Sequence, residues 1–272
     1  MKSLAEALSF SSVMCYLLTS SFFFFFPHPS YSALESFIYA GCTQFKYNDG
    51  SPFETNLNSV LTSIANSASL SNFNNFKISL PGSTDSDIVY GLFQCRGDLT
   101  SSDCHNCITH AVSQLGKICI DTSGGALQLE GCYVKYDNVS FLGAVDKTVV
   151  LKKCGSSSGY DSDFLTRRDA VQAYLTGAGQ YFRVGGSGKV QGMAQCIQDL
   201  SMSQCQDCLS EAIQQLKNEC GSSSWGDMFL AKCYARYSVR GVSSDGGKQF
   251  RRRGWWFMIC GFIFSFIYVM LC

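Results

Sequence analysis

Histidine and proline are scarce in this sequence, and charge is both sparse and balanced. Its 272 residues include three histidines and four prolines, 15% are charged, and 21 basic side chains face 21 acidic ones. A formal net charge of zero lacks the basic excess that nucleic acid or an anionic surface would select, so nucleic acid is not expected as a partner. So few histidines leave little material for zinc sites or for histidine-based acid–base chemistry. A hydrophobic fraction of 46% with 14% aromatics excludes a disordered composition. Cysteine, by contrast, is abundant at 15 residues.

The two ends set the expected compartment. Lys2 is followed by an apolar stretch from Val13 through Phe22 to Phe26, and then by Ser30, Tyr31 and Ser32. This reads as a secretory signal peptide over 1–32, because the run is short of the about 20 residues that span a bilayer comfortably. An uncleaved anchor or a buried strand is the alternative. At the other end, 18 residues from Trp255 to Cys272 carry no charge and follow Arg251, Arg252 and Arg253. They are expected to form a transmembrane helix over 255–272 behind a juxtamembrane spacer over 242–254, with Trp255 and Trp256 at the interface. The arginines would then lie outside the cytosol, against the positive-inside tendency. The competing reading is a glycolipid-attachment signal, with small residues Ser243, Ser244, Asp245 and Gly246, a polar spacer and a removable tail. Either way the folded part is expected outside the cell, where disulfides form.

Setting aside Cys15, Cys260 and Cys272 leaves twelve cysteines in two sets of six: 42, 95, 104, 107, 119, 132 and 154, 196, 205, 208, 220, 233. Within each set the last five follow C-x8-C-x2-C-x11-C-x12-C, and the two sets superimpose at an offset of 101 without a gap. Gly91 and Gly192, Gln94 and Gln195, Asp98 and Asp199, Leu129 and Leu230, Tyr133 and Tyr234, and Tyr136 and Tyr237 keep the same offset. This is a tandem duplication into domains over 33–140 and 154–241, joined by a linker over 141–153.

Each repeat has the same expected parts. Ser51, Pro52 and Glu54 form a capping-box start, after which Phe53, Leu57, Val60, Leu61 and Ile64 recur at helical spacing. A second helix begins near Ser102 and Asp103, with Cys104, Cys107, Ile108, Ala111, Val112 and Leu115 on one face. Leu127 to Tyr136 alternates as a strand. In the second repeat Val171, Tyr174 and Leu175 mark the first helix, Cys205 to Leu216 the second, and Met228 to Val239 the strand. The expected class is α+β, two disulfide-stapled domains in tandem.

The C-x2-C pairs do not read as zinc ligands, since the second repeat has no histidine. Nor do they read as a redox pair, which would expose its thiolate at a helix start. Structural disulfides are expected, and spacing alone leaves about 15 connectivities open per repeat. Asn138-Val139-Ser140 is a glycosylation acceptor, so Asn138 is the expected modified residue. His105 and His110 stand five apart on the second helix, which is not a shared-face metal spacing. Gly185-Gly186-Ser187-Gly188 lacks the Lys-Ser/Thr of a phosphate loop and reads as a turn.

The duplicated cysteine pattern resembles the ginkbilobin-homologous, or stress-antifungal, domain of land plants, over nearly all of 36–240. Together with a signal peptide and a terminal apolar segment it is similar to the plasmodesmata-located protein family. That resemblance implies, in each domain, an antiparallel sheet of about five strands carrying two helices. It implies first-to-fifth, second-to-third and fourth-to-sixth bridges: Cys42 to Cys119, Cys95 to Cys104, Cys107 to Cys132, Cys154 to Cys220, Cys196 to Cys205 and Cys208 to Cys233. It also implies a non-enzymatic module without a cofactor, at the plasma membrane of plasmodesmata, single-pass with its domains outside. Such a module would regulate cell-to-cell movement through partners that control callose. Partners are expected among membrane or extracellular proteins, including copies of the same family, with a cell-wall glycan as a further class. The mannose-binding member places asparagine, arginine and glutamate where this chain has Thr43, Ala126 and Asp137, and again Gly155, Asp227 and Ser238. Without the charge-assisted donors, mannose binding there is not expected. The alternative function is a secreted or glycolipid-linked carbohydrate-binding defence protein.

Overall fold

The computed structural model describes residues 33–240, except 158, 160 and 178. The expected signal peptide, Cys15, the juxtamembrane spacer and the apolar tail with Cys260 and Cys272 lie outside the described residues, as does the transmembrane helix expected at 255–272. No helix among the described residues is long and apolar enough to cross a membrane.

The first repeat runs β1 (Phe37–Cys42), α1 (Pro52–Ser67), β2 (Phe73–Ile78), β3 (Val89–Cys95), α2 (Ser101–Ile118), β4 (Gly124–Leu129) and β5 (Cys132–Asp137). The second runs β6 (Val149–Cys154), α3 (Ser162–Leu175), β7 (Phe182–Ser187), β8 (Val190–Cys196), α4 (Met202–Glu219), β9 (Trp225–Leu230) and β10 (Cys233–Val239). Each forms a five-stranded antiparallel sheet, in the orders β1-β4-β5-β3-β2 and β6-β9-β10-β8-β7. The last five residues of the expected linker, 149–153, are therefore strand β6 of the second sheet.

The helices start where short polar side chains stop the orphan amides. Ser51 accepts from the Glu54 amide, and the Glu54 carboxylate turns back to the Gly50 amide at 2.6 Å, one residue before the cap rather than to the cap itself. Thr100 caps α2 through the Asp103 amide, so that helix begins slightly earlier than the expected Ser102. In α4, Ser201 and Gln204 form a complete capping box.

Both helices of a repeat cover one face of its sheet. Phe53, Leu57, Val60 and Ile64 from α1 and Ile108, Ala111 and Leu115 from α2 pack on Val89, Phe93, Leu127, Leu129, Val134 and Tyr136. Gly91 sits under this layer because a Cβ there would come within 2.2 Å of a Val60 methyl. Gly192 repeats the arrangement under Val171 and Leu175. Asn56 breaks the apolar face of α1 yet is fully buried. Its amide donates to Ser83 Oγ and the Asp87 carbonyl and accepts from the Leu80 amide, which fixes the segment between β2 and β3 to the helix.

Three expectations from the sequence are corrected. Leu127 to Tyr136 is not one strand but the hairpin β4–β5, turning at Glu130 and Gly131, and Met228 to Val239 is likewise the hairpin β9–β10. Their near-continuous burial arises because the sheets are covered on both sides, which blurs a period of two. Tyr174 is not on the core face of α3: it is 60% exposed, whereas Arg168 and Gln172 are buried there beside Phe164 and Val171. Gly185 to Gly188 is mostly strand; β7 runs through Ser187 and the turn into β8 is Gly188-Lys189, with Gly188 at φ 55°.

Candidate functional site

The cysteines occupy equivalent places in both repeats. Cys104 and Cys107 stand one turn apart on the buried face of α2, so that Cys104 reaches Cys95 at the end of β3 and Cys107 reaches Cys132 at the start of β5. Cys42, closing edge strand β1, bonds Cys119 at the C-terminal cap of α2. The second repeat has Cys196–Cys205, Cys208–Cys233 and Cys154–Cys220. These are the pairs that the resemblance implies. Each set ties the helix to the sheet at both ends.

The open sheet faces meet each other. Leu92 and Tyr133 of the first repeat pack with Ile197 of the second, and Tyr39, Phe73, Ala126, Phe141 and Leu142 surround them. Tyr39 meets Phe229 edge-on at 5.8 Å, and Phe229 stacks on Tyr234 at 5.1 Å. Burial raises the phenol pKa of Tyr39, Tyr133 and Tyr234 well above the ordinary value, so all three stay neutral in any physiological solution.

The polar groups of this seam are paired across it. Gln195 donates to the Cys95 carbonyl at 2.9 Å, and Gln94 accepts from the Gln198 amide at 3.1 Å, so each of the two glutamines that match at offset 101 binds across the seam. Arg236 binds Asp227 through Nε at 2.8 Å and Glu130 of the first repeat through Nη1 at 2.7 Å. Burial alone would lower the Arg236 pKa, but Asp227 and Glu130 outweigh it and hold the guanidinium above its usual value. Gln94, Gln195, Arg96, Glu130, Tyr39 and Tyr234 line a small recess of ≈ 30 Å³, large enough to admit water.

A second lock holds the linker. Lys232 and Asp199 form an ion pair with both side chains almost fully buried. Lys232 Nζ also donates to the Phe141 carbonyl at 2.9 Å, and Asp199 accepts from the Gly143 amide at 3.0 Å. The Phe141 ring lies under the ammonium groups of Lys135 and Lys232, at 4.4 and 5.3 Å. The two repeats and their connection thus form one unit. Gln94, Tyr133 and their partners at offset 101 stand out in the sequence as matches, but nothing in the spacing marks them as seam residues.

The positions that hold mannose in the resembling domain have other tasks here. Thr43 binds Ser123 Oγ and the Gly124 carbonyl, and its methyl lies with the Asp137 carboxylate over Gly124. Ala126 packs in the seam. Gly155 lies against the Trp225 ring, Ser238 faces Trp225 across the ladder, and Asp227 is buried against Arg236. In the second repeat these positions are therefore occupied by contacts with Trp225 and Arg236. His105 Nδ1 donates to the Ala65 carbonyl, and His110 meets Gln114. Among the described residues no group of three metal-ligating side chains comes together. Asn138 is half-buried just past the end of β5, and Val139 and Ser140 after it are exposed.

Residues 41–139 and 153–240 match the salt stress response/antifungal family. The sequence is 61% identical to plasmodesmata-located protein 7 of Arabidopsis thaliana over 211 residues, covering 78% of this chain and 70% of that protein. It is 58% identical to plasmodesmata-located protein 6 of the same plant, covering 79% and 75%. The fold is similar to the crystal structure of the tandem DUF26 ectodomain of the Arabidopsis thaliana cysteine-rich receptor-like protein PDLP5. That match has a TM-score of 0.71 and 46% identity, and covers 75% of this chain and 99% of that one.

Proposed function

The chain belongs to the plasmodesmata-located proteins, a family built on tandem salt stress response/antifungal domains, and from that membership we propose that it is an extracellular, receptor-like interaction module at plasmodesmata. The finer reading is a single-pass membrane anchor at 255–272 and regulation of cell-to-cell movement through partners that control callose. The observation that carries it is the identity to named plasmodesmal relatives across both repeats and the seam between them. A sealed seam supports a binding role: the paired sheet faces are used internally, so partners meet helix faces, sheet edges and loops of one preassembled body. Such partners are extracellular or membrane proteins, copies of the family included. The carbohydrate-binding defence reading has less support, because Ala126 and Asp227 replace the arginine that would hold a sugar.

A fluorescent protein inserted after residue 32 tests this reading. It is expected to give punctate wall fluorescence that coincides with callose and resists release by phospholipase. Uniform apoplastic fluorescence would exclude the plasmodesmal role, and release by phospholipase would replace the transmembrane anchor by a glycolipid. We further propose that Asn138 is glycosylated: it follows the end of β5, next to the exposed Val139 and Ser140. Glycosidase treatment is expected to increase the electrophoretic mobility of the secreted protein, and N138Q to abolish that shift; an unchanged shift in N138Q would reject Asn138 as the acceptor.

A further inference from the structure

The buried cations among the described residues share one habit, with one exception. Lys232 has Asp199, Arg168 has Asp169, and Arg236 has Asp227 and Glu130. Arg183 in β7, 5% exposed, has no carboxylate partner among the described residues. Its Nη1 donates to the Leu175 carbonyl at 2.6 Å, its Nε to the Gln180 carbonyl at 3.0 Å and its Nη2 to Gln206 Oε1 at 3.2 Å. These neutral acceptors position the guanidinium at the C-terminal end of α3, where the helix dipole favours a cation, but they bring no formal negative charge. A guanidinium has five N–H donors in a planar fork, so about two remain unused. Burial lowers the Arg183 pKa, and no carboxylate raises it again.

Arg183 lies at an open groove of ≈ 410 Å³, bordered by Tyr174, Gly177, Gly179 and Gln180, which falls within the size range of small-ligand sites. Tyr174 is 60% exposed, yet its ring has a defined seat: it lies against Gly185, where a Cβ would come within 2.5 Å of the ring. Two exposed glycines, Gly177 and Gly179, form the opposite border, the Gly177 amide donating to the Tyr174 carbonyl. The first repeat does not carry these residues. Phe73 and Phe182 take the same place opposite Gln94 and Gln195, so Arg183 corresponds to exposed Asn74, and Gly185 to Phe76. Among the described residues the second repeat alone therefore combines an arginine without a carboxylate partner, an exposed aromatic and exposed glycines around one space.

We propose that this groove binds the carboxylate of an acidic sugar, a hexuronate unit of an acidic glycan. The carboxylate takes the two unused N–H groups of Arg183, as charge-assisted bonds to a planar fork. The C–H face of the pyranose lies on Tyr174, and its hydroxyls reach the backbone at Gly177 and Gly179. The proposal names a ligand class that the mannose-type positions do not supply, and it stands whether or not the protein resides at plasmodesmata.

The test uses secreted residues 33–240, the same unit that is solved as an ectodomain in the relatives. Titration calorimetry with trigalacturonate and with its fully methyl-esterified, neutral form compares charge at constant shape. Binding of the acid, with the ester at least tenfold weaker, is expected. Tyr174→Ala, a surface change that leaves the fold intact by circular dichroism, is expected to weaken the acid at least tenfold, and R183Q to abolish it. Lys189→Ala, a cation on the adjacent turn, is expected to change nothing. Equal binding of acid and ester, equal loss with Lys189→Ala, or no binding of trigalacturonate would overturn the proposal. Competition by acetate or inorganic phosphate with the same affinity as the sugar would overturn it too, leaving an anion site without a glycan.

Discussion

Asp199→Asn is expected to destabilise the folded unit by about 3–5 kcal/mol, because it leaves the Lys232 ammonium buried without its counter-charge. Both side chains are more than nine-tenths buried, so solvent does little to screen the loss. The same carboxylate accepts from the Gly143 amide, and Lys232 holds the Phe141 carbonyl, so the linker is released with the pair. Urea unfolding of residues 33–240 would show the midpoint fall, and limited proteolysis would show new cleavage between 141 and 148. Pairing Asp199→Leu with Lys232→Met removes both charges. Replacement of a buried ion pair by apolar residues of similar volume is commonly neutral or stabilising, so much of the loss is expected to return. The linker would still be cut faster, because its two polar anchors would be absent. If Asp199→Asn left the midpoint unchanged, the pair would not be the lock described above.

The second large effect separates the disulfides by the chain they enclose. Cys42–Cys119 closes 77 residues and Cys95–Cys104 only nine. In the loop-entropy account the first is worth about 4.5 kcal/mol and the second about 2.6 kcal/mol, through restriction of the unfolded chain. Replacing Cys42 and Cys119 together by alanine is therefore expected to lower the unfolding free energy more than replacing Cys95 and Cys104. The exposed position of Cys42 makes the comparison stricter, since the short bridge is fully buried and its loss also leaves a cavity. A larger loss for the short bridge would show that packing, rather than chain restriction, dominates. The second repeat gives an independent pair, with 66 residues against nine.

Much of this architecture was legible residue by residue. The offset of 101 placed two domains, and the apolar spacing in α1, α2 and α4 placed their helices, because each of these helices has only one buried face. The readings failed where both faces of an element are covered. The β4–β5 hairpin reads as a single strand because helices bury one side and the neighbouring repeat buries the other, so no alternation marks the turn at Glu130-Gly131. Tyr174 has helical spacing with Val171, yet the polar Arg168 and Gln172 fill the core face of α3 instead. Polar burial carries no periodic signature, and its partners come from distant positions.

The cysteine spacing and the duplication were determined by the sequence alone, since each is a property of order along the chain. The family resemblance, carried by the same cysteines, supplied the bridge pattern. The tertiary structure decided how the repeats face each other and which side chains that contact consumes. Asp227 could have been an exposed acid; the meeting of the two sheets makes it the buried partner of Arg236, which also binds Glu130 of the first repeat. Arg183 could have been one more surface cation; only packing shows it buried without a carboxylate. Charge pairing across 106 positions, as between Glu130 and Arg236, depends on distance in space, and a linear pattern holds no measure of that distance.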